Sequence, residues 1–279
     1  MSQNILITGA TGFVGRQICA ALEGYELEIT LITREENDLP KDEFQCVKKI
    51  ISTEDLFRES SDWWSNVCQD IDIVIHAAWF AEPGEYLYST KNLDCLSGTL
   101  NLAKGCAQAG VKRFAGVGTC FEYDLSQGLL STHSPLKPET PYAASKAATY
   151  SVLSEWLPTQ SISFVWCRLF YLYGEGEDDR RFVPYLRSKL KAGEPAKLTS
   201  GEQIRDYLDA REAGRLIAKA ALGEHEGAVN ICSGVPTTIR DFATRIAEEY
   251  GRTDLLHFGA RPRNRVDPPK VVGVRSDFE

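Results

Sequence analysis

The sequence NILITGATGFVG, residues 4–15, decides the fold of this chain. A run of apolar and β-branched residues leads directly into Gly9, Gly12 and Gly15, and a helical pattern follows near residues 12–23. Glycine at the turn permits backbone angles that a side chain forbids. Glycine at the helix start lets backbone amides approach a pyrophosphate, which the helix N-terminus favours. Because the motif opens the chain between a strand and a helix, we interpret it as a dinucleotide-binding loop.

Short apolar runs alternate with longer helical patterns through the first half of the chain. The predicted strands are NILITG, LEITLIT, FQCVKKI, DIDIVIHAA, VKRFAGVGT and SISFVWCRLF. Helices are predicted near residues 12–23, 86–109 and 140–157, between these runs. This alternation, with strands apolar enough to be covered on both faces, predicts an α/β fold with a Rossmann-type doubly wound parallel sheet.

The pattern loosens in the second half. It predicts a helix near 180–192, a short run AKLTSG, a loop and a helix in IRDYLDAREAGRLIAKAAL, a strand in GAVNICSG and a helix in PTTIRDFATRIAEEYG. We expect a dinucleotide-binding domain of residues 1–170, to which residues 206–234 return. Residues 171–205 and 235–279 are then expected to form a smaller C-terminal substrate-binding lobe.

Composition narrows the class of protein. The formal charge is −8 and the basic residues are scattered, so we expect no nucleic-acid partner. No apolar run reaches the ~20 residues of a membrane span and the N-terminus has no charged leader pattern, so we expect a cytoplasmic protein without a membrane partner. The eight cysteines form no CxxC and the four histidines form no HExxH, which favours buried free thiols and no metal site.

The stretch LITREEN ends the second predicted strand, about 20 residues after the glycines, where an NAD site usually has an acid. Thr33 and Arg34 occupy this strand end instead, and a guanidinium suits bidentate contact with a 2′-phosphate. The sequence therefore favours NADP over NAD. Glu35 and Glu36 follow directly, so a shift of one residue would restore an acid, and Arg34 would then be a solvated loop residue.

The segment PYAASK, residues 141–146, places Tyr142 and Lys146 one turn apart on a predicted helix, with Thr140 as its N-cap. A phenol has a pKa of about 10, so it needs a nearby cation to act in acid–base catalysis at neutral pH. Thr119 ends the fifth predicted strand, and ligands bind at the carboxyl ends of parallel strands. Taken alone, the Tyr/Lys spacing is equally typical of a helix surface.

Together, GATGFVG, HAA at 76–78, Thr119 and YAASK resemble the extended short-chain dehydrogenase/reductase family. The resemblance is to its branch of NAD(P)-dependent nucleotide-sugar epimerases, dehydratases and ketoreductases, and it covers essentially the whole chain. It implies that Thr119, Tyr142 and Lys146 are catalytic. Tyr142 would be the general acid–base, Lys146 would lower its pKa and bond the nicotinamide ribose, and Thr119 would orient the substrate oxygen.

The resemblance also implies binding residues and a partner. With the glycine motif and Arg34, the expected cofactor-binding residues are Gly9, Thr11, Gly12, Phe13, Val14, Gly15, Arg34, Ala77, Ala78, Tyr142, Lys146 and Phe170. The expected substrate-binding residues are Thr119, Tyr171, Arg205 and Arg261. The two arginines would grip the diphosphate of a nucleotide sugar, with Arg263 an equal candidate for the second one. Pairing of the helices near 86–109 and 140–157 would form a homodimer.

The residues after Thr119 separate the possible chemistries. Dehydratases of this family carry an Asp-Glu pair there, whereas this chain has Cys120 and Phe121, so elimination of water is poorly supported. An epimerase returns the hydride it takes and gains nothing from NADPH, whereas a reductase does. We therefore expect NADPH-dependent reduction of a nucleotide-linked 4-keto-6-deoxyhexose. The alternatives are an NAD-dependent nucleotide-sugar 4-epimerase, a reductase of a small ketone, and a non-catalytic dinucleotide-sensing protein.

Overall fold

The glycine loop joins the first strand of a seven-stranded parallel sheet to the first helix. The computed structural model describes residues 2–34, 46–262 and 267–276. The strands are β1 (Gln3–Thr8), β2 (Leu27–Thr33), β3 (Val47–Ser52), β4 (Ile73–His76), β5 (Arg113–Thr119), β6 (Leu129–Leu130), β7 (Ser163–Leu169), β8 (Tyr171–Tyr173), β9 (Ala196–Lys197), β10 (Ile204–Asp209), β11 (Gly227–Ile231), β12 (Pro236–Thr238), β13 (Leu256–His257) and β14 (Lys270–Gly273). The helices are α1 (Phe13–Leu22), α2 (Ser61–Val67), α3 (Lys91–Ala109), α4 (Pro141–Thr159), α5 (Phe182–Ala192), α6 (Ala210–Leu222) and α7 (Ile239–Glu249).

The order of the strands places a crevice beside β1. Within the described residues the order is β11-β7-β5-β4-β1-β2-β3, and all neighbouring strands are parallel. Because β1 lies between β2 and β4, the direction of winding reverses there. The loops that follow β1 and β4 therefore flank the position where doubly wound sheets bind ligands. This topology confirms the predicted Rossmann-type α/β fold.

Helices cover both faces of this sheet. On one face α1 and α6 bury Ile18 and Ile217 against the strands. On the other face α2, α3 and α4 bury Trp64, Leu102 and Leu153. Each such side chain contributes about 1.5–3 kcal/mol when it is fully buried. Helices thus cover both faces of the sheet, and the carboxyl ends of its strands are where a ligand can bind.

A smaller sheet and two helices stand beside the carboxyl edge. Its strand order is β12-β10-β14-β6, with β8 paired to β10. Helices α5 and α7 form a separate apolar core that includes Leu186, Leu190, Phe242 and Ile246. The division of the chain at residues 170, 206 and 234 stays a prediction.

Strand β10 corrects one expectation, since the sequence IRDYL was predicted to be a loop. Its charged residues are typical of a loop, but the Asp206 carboxylate is wholly buried. It accepts hydrogen bonds from the backbone N–H groups of Ser233, Gly234 and Gly273 at 2.7, 2.9 and 3.1 Å. These partners are distant along the chain, so no local pattern indicates the strand.

The start of the third helix also differs from the expected position near residue 86. Helix α3 begins at Lys91, because the side-chain nitrogen of Asn92 donates to the carbonyl oxygens of Tyr86 and Ser89 at 2.6 and 2.9 Å. These bonds hold the preceding segment in turns. Residues 82–90 therefore form a loop at the carboxyl edge of the sheet.

Candidate active site

The glycine loop packs against the end of β4 and against itself. Gly9 has a φ of 77°, and a Cβ on it would lie 2.6 Å from the backbone nitrogen of Ala78. A Cβ on Gly15 would lie 1.9 Å from the carbonyl oxygen of Gly9. Backbone packing therefore requires glycine at both positions, independently of any ligand.

The start of α1 offers the groups that a pyrophosphate needs. Gly12 is the exposed N-cap, and no side chain caps the helix. The first-turn N–H groups of Phe13 and Val14 thus carry the partial positive charge of the helix end. The carbonyl of Thr11 is held by the Nε of Arg16 at 3.0 Å. The loop fits a dinucleotide, and its contacts with one stay a prediction.

The end of β2 is polar and partly open. Thr33 is buried, and its hydroxyl has no hydrogen-bond partner among the residues that the structure describes. Arg34 follows it and is exposed. An unpaired hydroxyl next to an exposed guanidinium fits a polar ligand beside this strand. The competing acids Glu35 and Glu36 lie outside the described residues.

The end of β4 is fixed by hydrogen bonds to β1. The N–H of Ala77 donates to the carbonyl of Thr8 at 3.1 Å, and the N–H of Ala78 reaches the Thr8 hydroxyl at 3.4 Å. His76 joins Thr8 to Thr99 through its two ring nitrogens, at 2.8 and 2.9 Å. Burial lowers the pKa of His76 to about 3, so it is a neutral link between β1, β4 and α3.

Thr119, Tyr142 and Lys146 meet at the carboxyl end of β5. Thr119 is the last residue of that strand, and its side chain lies near enough to the Tyr142 phenol to lower the pKa of that phenol. Tyr142 and Lys146 lie in the first turns of α4, whose N-cap Thr140 accepts a hydrogen bond from the N–H of Ala143 at 3.2 Å. The structure therefore brings the three expected catalytic residues together.

The surroundings of Tyr142 raise the pKa of its phenol. Burial is the largest cause, and the adjacent Tyr86 adds to it, whereas the side chain of Thr119 lowers the pKa. The rings of Tyr86 and Tyr142 meet edge to face with centroids 4.8 Å apart. In this arrangement the phenol is held protonated, ready to donate.

The direct contacts of the Lys146 ammonium are with β5 and Trp79, and its expected lowering of the Tyr142 pKa stays a prediction. Its ammonium donates to the carbonyl oxygen of Val117 and lies 3.8 Å from the ring centroid of Trp79. Burial lowers the pKa of Lys146 to about 7, and Glu122 is the main opposing influence. The lysine is therefore poised between its two protonation states at neutral pH.

Two aromatic residues of this site escaped the sequence analysis. Trp79 covers Lys146, and its indole N–H donates to the side-chain oxygen of Asn92 at 2.9 Å. Tyr86 packs against Tyr142, as described above. Their one sequence signal is position, since AAWFAEPGEY follows directly after the fourth strand. An aromatic wall at a sheet edge restricts which substrates fit there.

Arg205 lies at the far end of this edge, in β10. It is only 2% exposed and donates to a carboxylate oxygen of Asp267 at 2.7 Å. Its guanidinium also lies 5.3 Å from the ring centroid of Tyr171. The expected diphosphate-binding arginine is therefore already paired, with the aromatic side chain of another expected substrate-binding residue beside it.

Arg261 and Phe170 have different surroundings. Arg261 is exposed, and its guanidinium lies 4.8 Å from the ring centroid of Tyr185 in α5. The structure shows no contact shared by Arg261 and Arg205 among the described residues. Phe170 is buried in an apolar cluster with Cys120. Arg263 lies outside the described residues.

The sequence matches a known protein family over most of its length. The sequence model of the NAD dependent epimerase/dehydratase family matches residues 5–232. The chain belongs to this family. The resemblance noted in the sequence is thereby confirmed, and the protein is an enzyme of the extended short-chain dehydrogenase/reductase type.

Individual members of the family cover almost all of the chain. A dTDP-6-deoxy-L-talose 4-dehydrogenase (NAD(+)) of Aggregatibacter actinomycetemcomitans is 23% identical over 276 residues, 98% of this chain and 100% of that protein. A GDP-6-deoxy-D-mannose reductase of Pseudomonas aeruginosa is 26% identical over 268 residues, 89% of this chain and 80% of that protein. The solved UDP-N-acetylglucosamine 4-epimerase of Methanobrevibacter ruminantium has a TM-score of 0.87 at 22% identity and covers 99% of this chain and 90% of its own.

Three further properties complete the description of this family member. Across residues 2–34, 46–262 and 267–276, no helix has the length and apolar character needed to cross a bilayer. In the same ranges no three His, Cys, Asp or Glu side chains are grouped as metal ligands. All eight cysteines are free thiols.

Proposed function

We propose that this enzyme reduces the 4-keto group of a nucleotide-linked 4-keto-6-deoxyhexose, with NADPH as the preferred hydride donor. The observation that carries the proposal is the junction of Thr119, Tyr142 and Lys146 beside positions that hold no second acid–base pair. When bound, the dinucleotide supplies the hydride. The chain supplies the proton, the orientation of the substrate and the exclusion of water.

The residues after Thr119 argue against elimination of water. Cys120 is buried, and burial together with Glu122 raises the pKa of its thiol, so it is not a proton acceptor at neutral pH. Phe121 packs against Tyr171, with ring centroids 6.2 Å apart. A dehydratase needs an acid and a base at this place, and neither side chain supplies one.

Tyr142 suits the donor role because its surroundings keep the phenol protonated. Thr119, whose side chain lies beside that phenol, would hold the substrate oxygen within reach of the same proton. Tyr142 would donate that proton to the C4 oxygen as negative charge develops on it during reduction. A charged Lys146 in the same buried space would stabilise the phenolate that remains.

Net reduction is favoured over 4-epimerisation by two observations. Arg34 is exposed at the end of β2, where a guanidinium suits a 2′-phosphate. The relative from Aggregatibacter is by its name a dehydrogenase acting at position 4 of a 6-deoxy sugar, and a dehydrogenase running in reverse is a reductase. That relative uses NAD(+), so NADH is the alternative donor.

The purified enzyme should oxidise NADPH when a 4-keto-6-deoxy nucleotide sugar is added, and product analysis should show a 4-hydroxy sugar. NADH is run in parallel, together with Arg34→Ala, which should lose the preference for NADPH. Redox-neutral interconversion of a nucleotide hexose without NADPH oxidation would identify a 4-epimerase. Dinucleotide binding without turnover of any ketone would identify a sensing protein.

Arg205→Ala should raise the KM for the nucleotide sugar by roughly 10- to 100-fold, because a charge-assisted hydrogen bond contributes about 1.5–3 kcal/mol. The KM for the dinucleotide should stay unchanged. Arg252→Ala is the control, since Arg252 is paired with Asp254 on the surface of the lobe. Steady-state kinetics with a nucleotide sugar measure the effect. An unchanged KM in a variant with normal thermal unfolding would favour a small ketone as the substrate.

We also propose that the enzyme is a cytoplasmic homodimer formed through α3 and α4. Their outer surface exposes Leu93 and Val152, which are 62% and 47% exposed. Val152→Glu should convert the dimer to a monomer, because a charge would be buried at the contact. Light scattering after gel filtration measures the mass. Val235→Glu, at a 59% exposed position outside both helices, should leave the dimer intact; equal masses for all three proteins would refute the proposed contact.

A further inference from the structure

A wholly buried acid lies directly behind the catalytic residues. Glu122 follows β5 in a short turn and is 0% exposed. Its Oε1 accepts hydrogen bonds from the backbone N–H of Thr119 at 2.8 Å and from the indole of Trp166 at 2.9 Å. Its Oε2 accepts one from the Nε of Arg168 at 2.7 Å. Each carboxylate oxygen is thus paired, as burial of a charge requires.

The strand β5 is shaped to admit this group. A Cβ on Gly118 would lie 2.2 Å from the indole nitrogen of Trp166 and 2.4 Å from an oxygen of Glu122. A Cβ on Gly116 would lie 2.4 Å from the ring of Trp166. The ring therefore rests on the backbone of β5, with its centroid 5.6 Å from the Lys146 ammonium. The glycines of β5 bring the carboxylate close beneath the site.

We propose that Glu122 is a positioning residue for the reaction, which holds Thr119 at the end of β5 and provides the buried negative charge that faces Lys146. This inference rests on the proposed function, in which Thr119 holds the substrate oxygen, Tyr142 donates the proton and Lys146 stabilises the phenolate that remains. A residue that only capped the turn would also hold Thr119. The proposed second role, a buried negative charge, differs from such a cap because it changes the pKa of Lys146.

The other groups that face Lys146 are neutral at neutral pH. From α3, Cys95 has its pKa raised to about 11 by burial. From β4, His76 has its pKa lowered to about 3 by burial and by Lys146 itself. From the same helix, Tyr142 is held protonated. Glu122 is therefore the main negative charge that acts on the lysine. It raises the pKa of Lys146 and so opposes the effect of burial, which lowers that pKa to about 7.

Arg168, the partner of Glu122, is itself anchored by other side chains. The Nη1 of Arg168 donates to the Tyr123 hydroxyl at 2.9 Å, and that hydroxyl donates to Asn230 at 2.7 Å. The guanidinium also stacks 4.4 Å from the ring centroid of Tyr150. These contacts fix Arg168 and, through it, the carboxylate of Glu122.

The sign of the pH effect follows. Glu122 raises the pKa of Lys146, so removing its charge lowers that pKa and the lysine loses its proton at a lower pH. If charged Lys146 stabilises the phenolate of Tyr142, activity falls as the lysine deprotonates. The basic limb of the kcat/KM profile therefore moves to lower pH in a variant without the charge.

Glu122→Gln tests this, since it keeps the shape and one acceptor oxygen and removes the charge. We expect the basic limb to move down by about one pH unit, which lowers kcat/KM on that limb about tenfold. The second measurement is an NMR titration of protein labelled with ¹³C at the lysine ε-carbons, with Lys146→Arg to assign the signal. The Lys146 signal should titrate at lower pH in Glu122→Gln, whether or not a substrate has been identified.

Two further variants keep the test decisive. Glu122→Gln leaves Arg168 buried without its charged partner. The pair Glu122→Gln with Arg168→Met removes both charges and should show a smaller shift in the same direction in a better-folded protein. Glu155→Gln, on the exposed side of α4, should leave both titrations unchanged. An unmoved Lys146 titration in both Glu122 variants overturns the inference. Wild-type protein without turnover of any nucleotide sugar counts instead against the proposed function.

Discussion

Tyr142→Phe should lower kcat by about 10³-fold while dinucleotide binding is retained, within the usual range for loss of a general acid. In the proposed mechanism the phenol beside Thr119 is the proton donor, and its oxygen is the only non-hydrogen atom that the substitution removes. The ring that remains still packs edge to face against Tyr86, so the fold should be unchanged. Single-turnover kinetics with the 4-keto sugar measure kcat, and fluorescence of the bound nicotinamide measures binding.

Tyr88→Phe is the matched control, since Tyr88 is a tyrosine of the neighbouring loop with its ring largely exposed. It should retain wild-type kcat. If Tyr142→Phe kept more than about a tenth of the wild-type kcat, the loss would fall below the range for general acids, and Tyr142 would not be the proton donor.

Gly15→Ala should lower the free energy of unfolding by about 3 kcal/mol, at the upper end of what overpacking costs. The added methyl would lie 1.9 Å from the carbonyl oxygen of Gly9, which is backbone and cannot rotate away. Helix α1 must then move off the glycine loop, so dinucleotide binding should be lost together with stability. Urea unfolding followed by circular dichroism measures the free energy.

Gly24→Ala separates this clash from the general effect of removing a glycine. No atom lies within 4 Å of the Cβ position at Gly24. This variant should be neutral or slightly more stable, because alanine restricts the unfolded chain. If Gly15→Ala and the wild type had equal unfolding curves, the loop and helix α1 could move apart without loss of stability, and the predicted effect of the clash would be wrong.

The parts of the molecule that the sequence predicted depend on local signals. At Gly15 the residue type is required by the carbonyl oxygen of Gly9, six residues away, and at Gly9 the backbone φ of 77° itself favours glycine. The start of α4 follows from Thr140, whose side chain caps the helix. With the strand-helix alternation, these features fix where Thr119 and Tyr142 meet.

The parts that escaped prediction depend on partners distant in the chain. Asp206 belongs to a strand whose pairing partners lie far away in the chain, and its side chain binds backbone groups more than 20 residues away. Glu122 reads as an ordinary polar residue until Trp166 and Arg168 reach it from β7. Trp79 likewise gains its contact with Lys146 only once β4 and α4 stand side by side. Local periodicity carries no information about such pairs.

The ion pair between Arg205 and Asp267 makes the capture of an anion at this arginine an exchange. A diphosphate arriving there displaces a carboxylate or shares the guanidinium with it, so the complex gains the difference between two anions and not the full attraction of a bare cation for phosphate. Because Asp267 holds the cation until then, a singly charged anion such as chloride would compete poorly for the place. The pair would thus favour a multiply charged ligand such as a diphosphate.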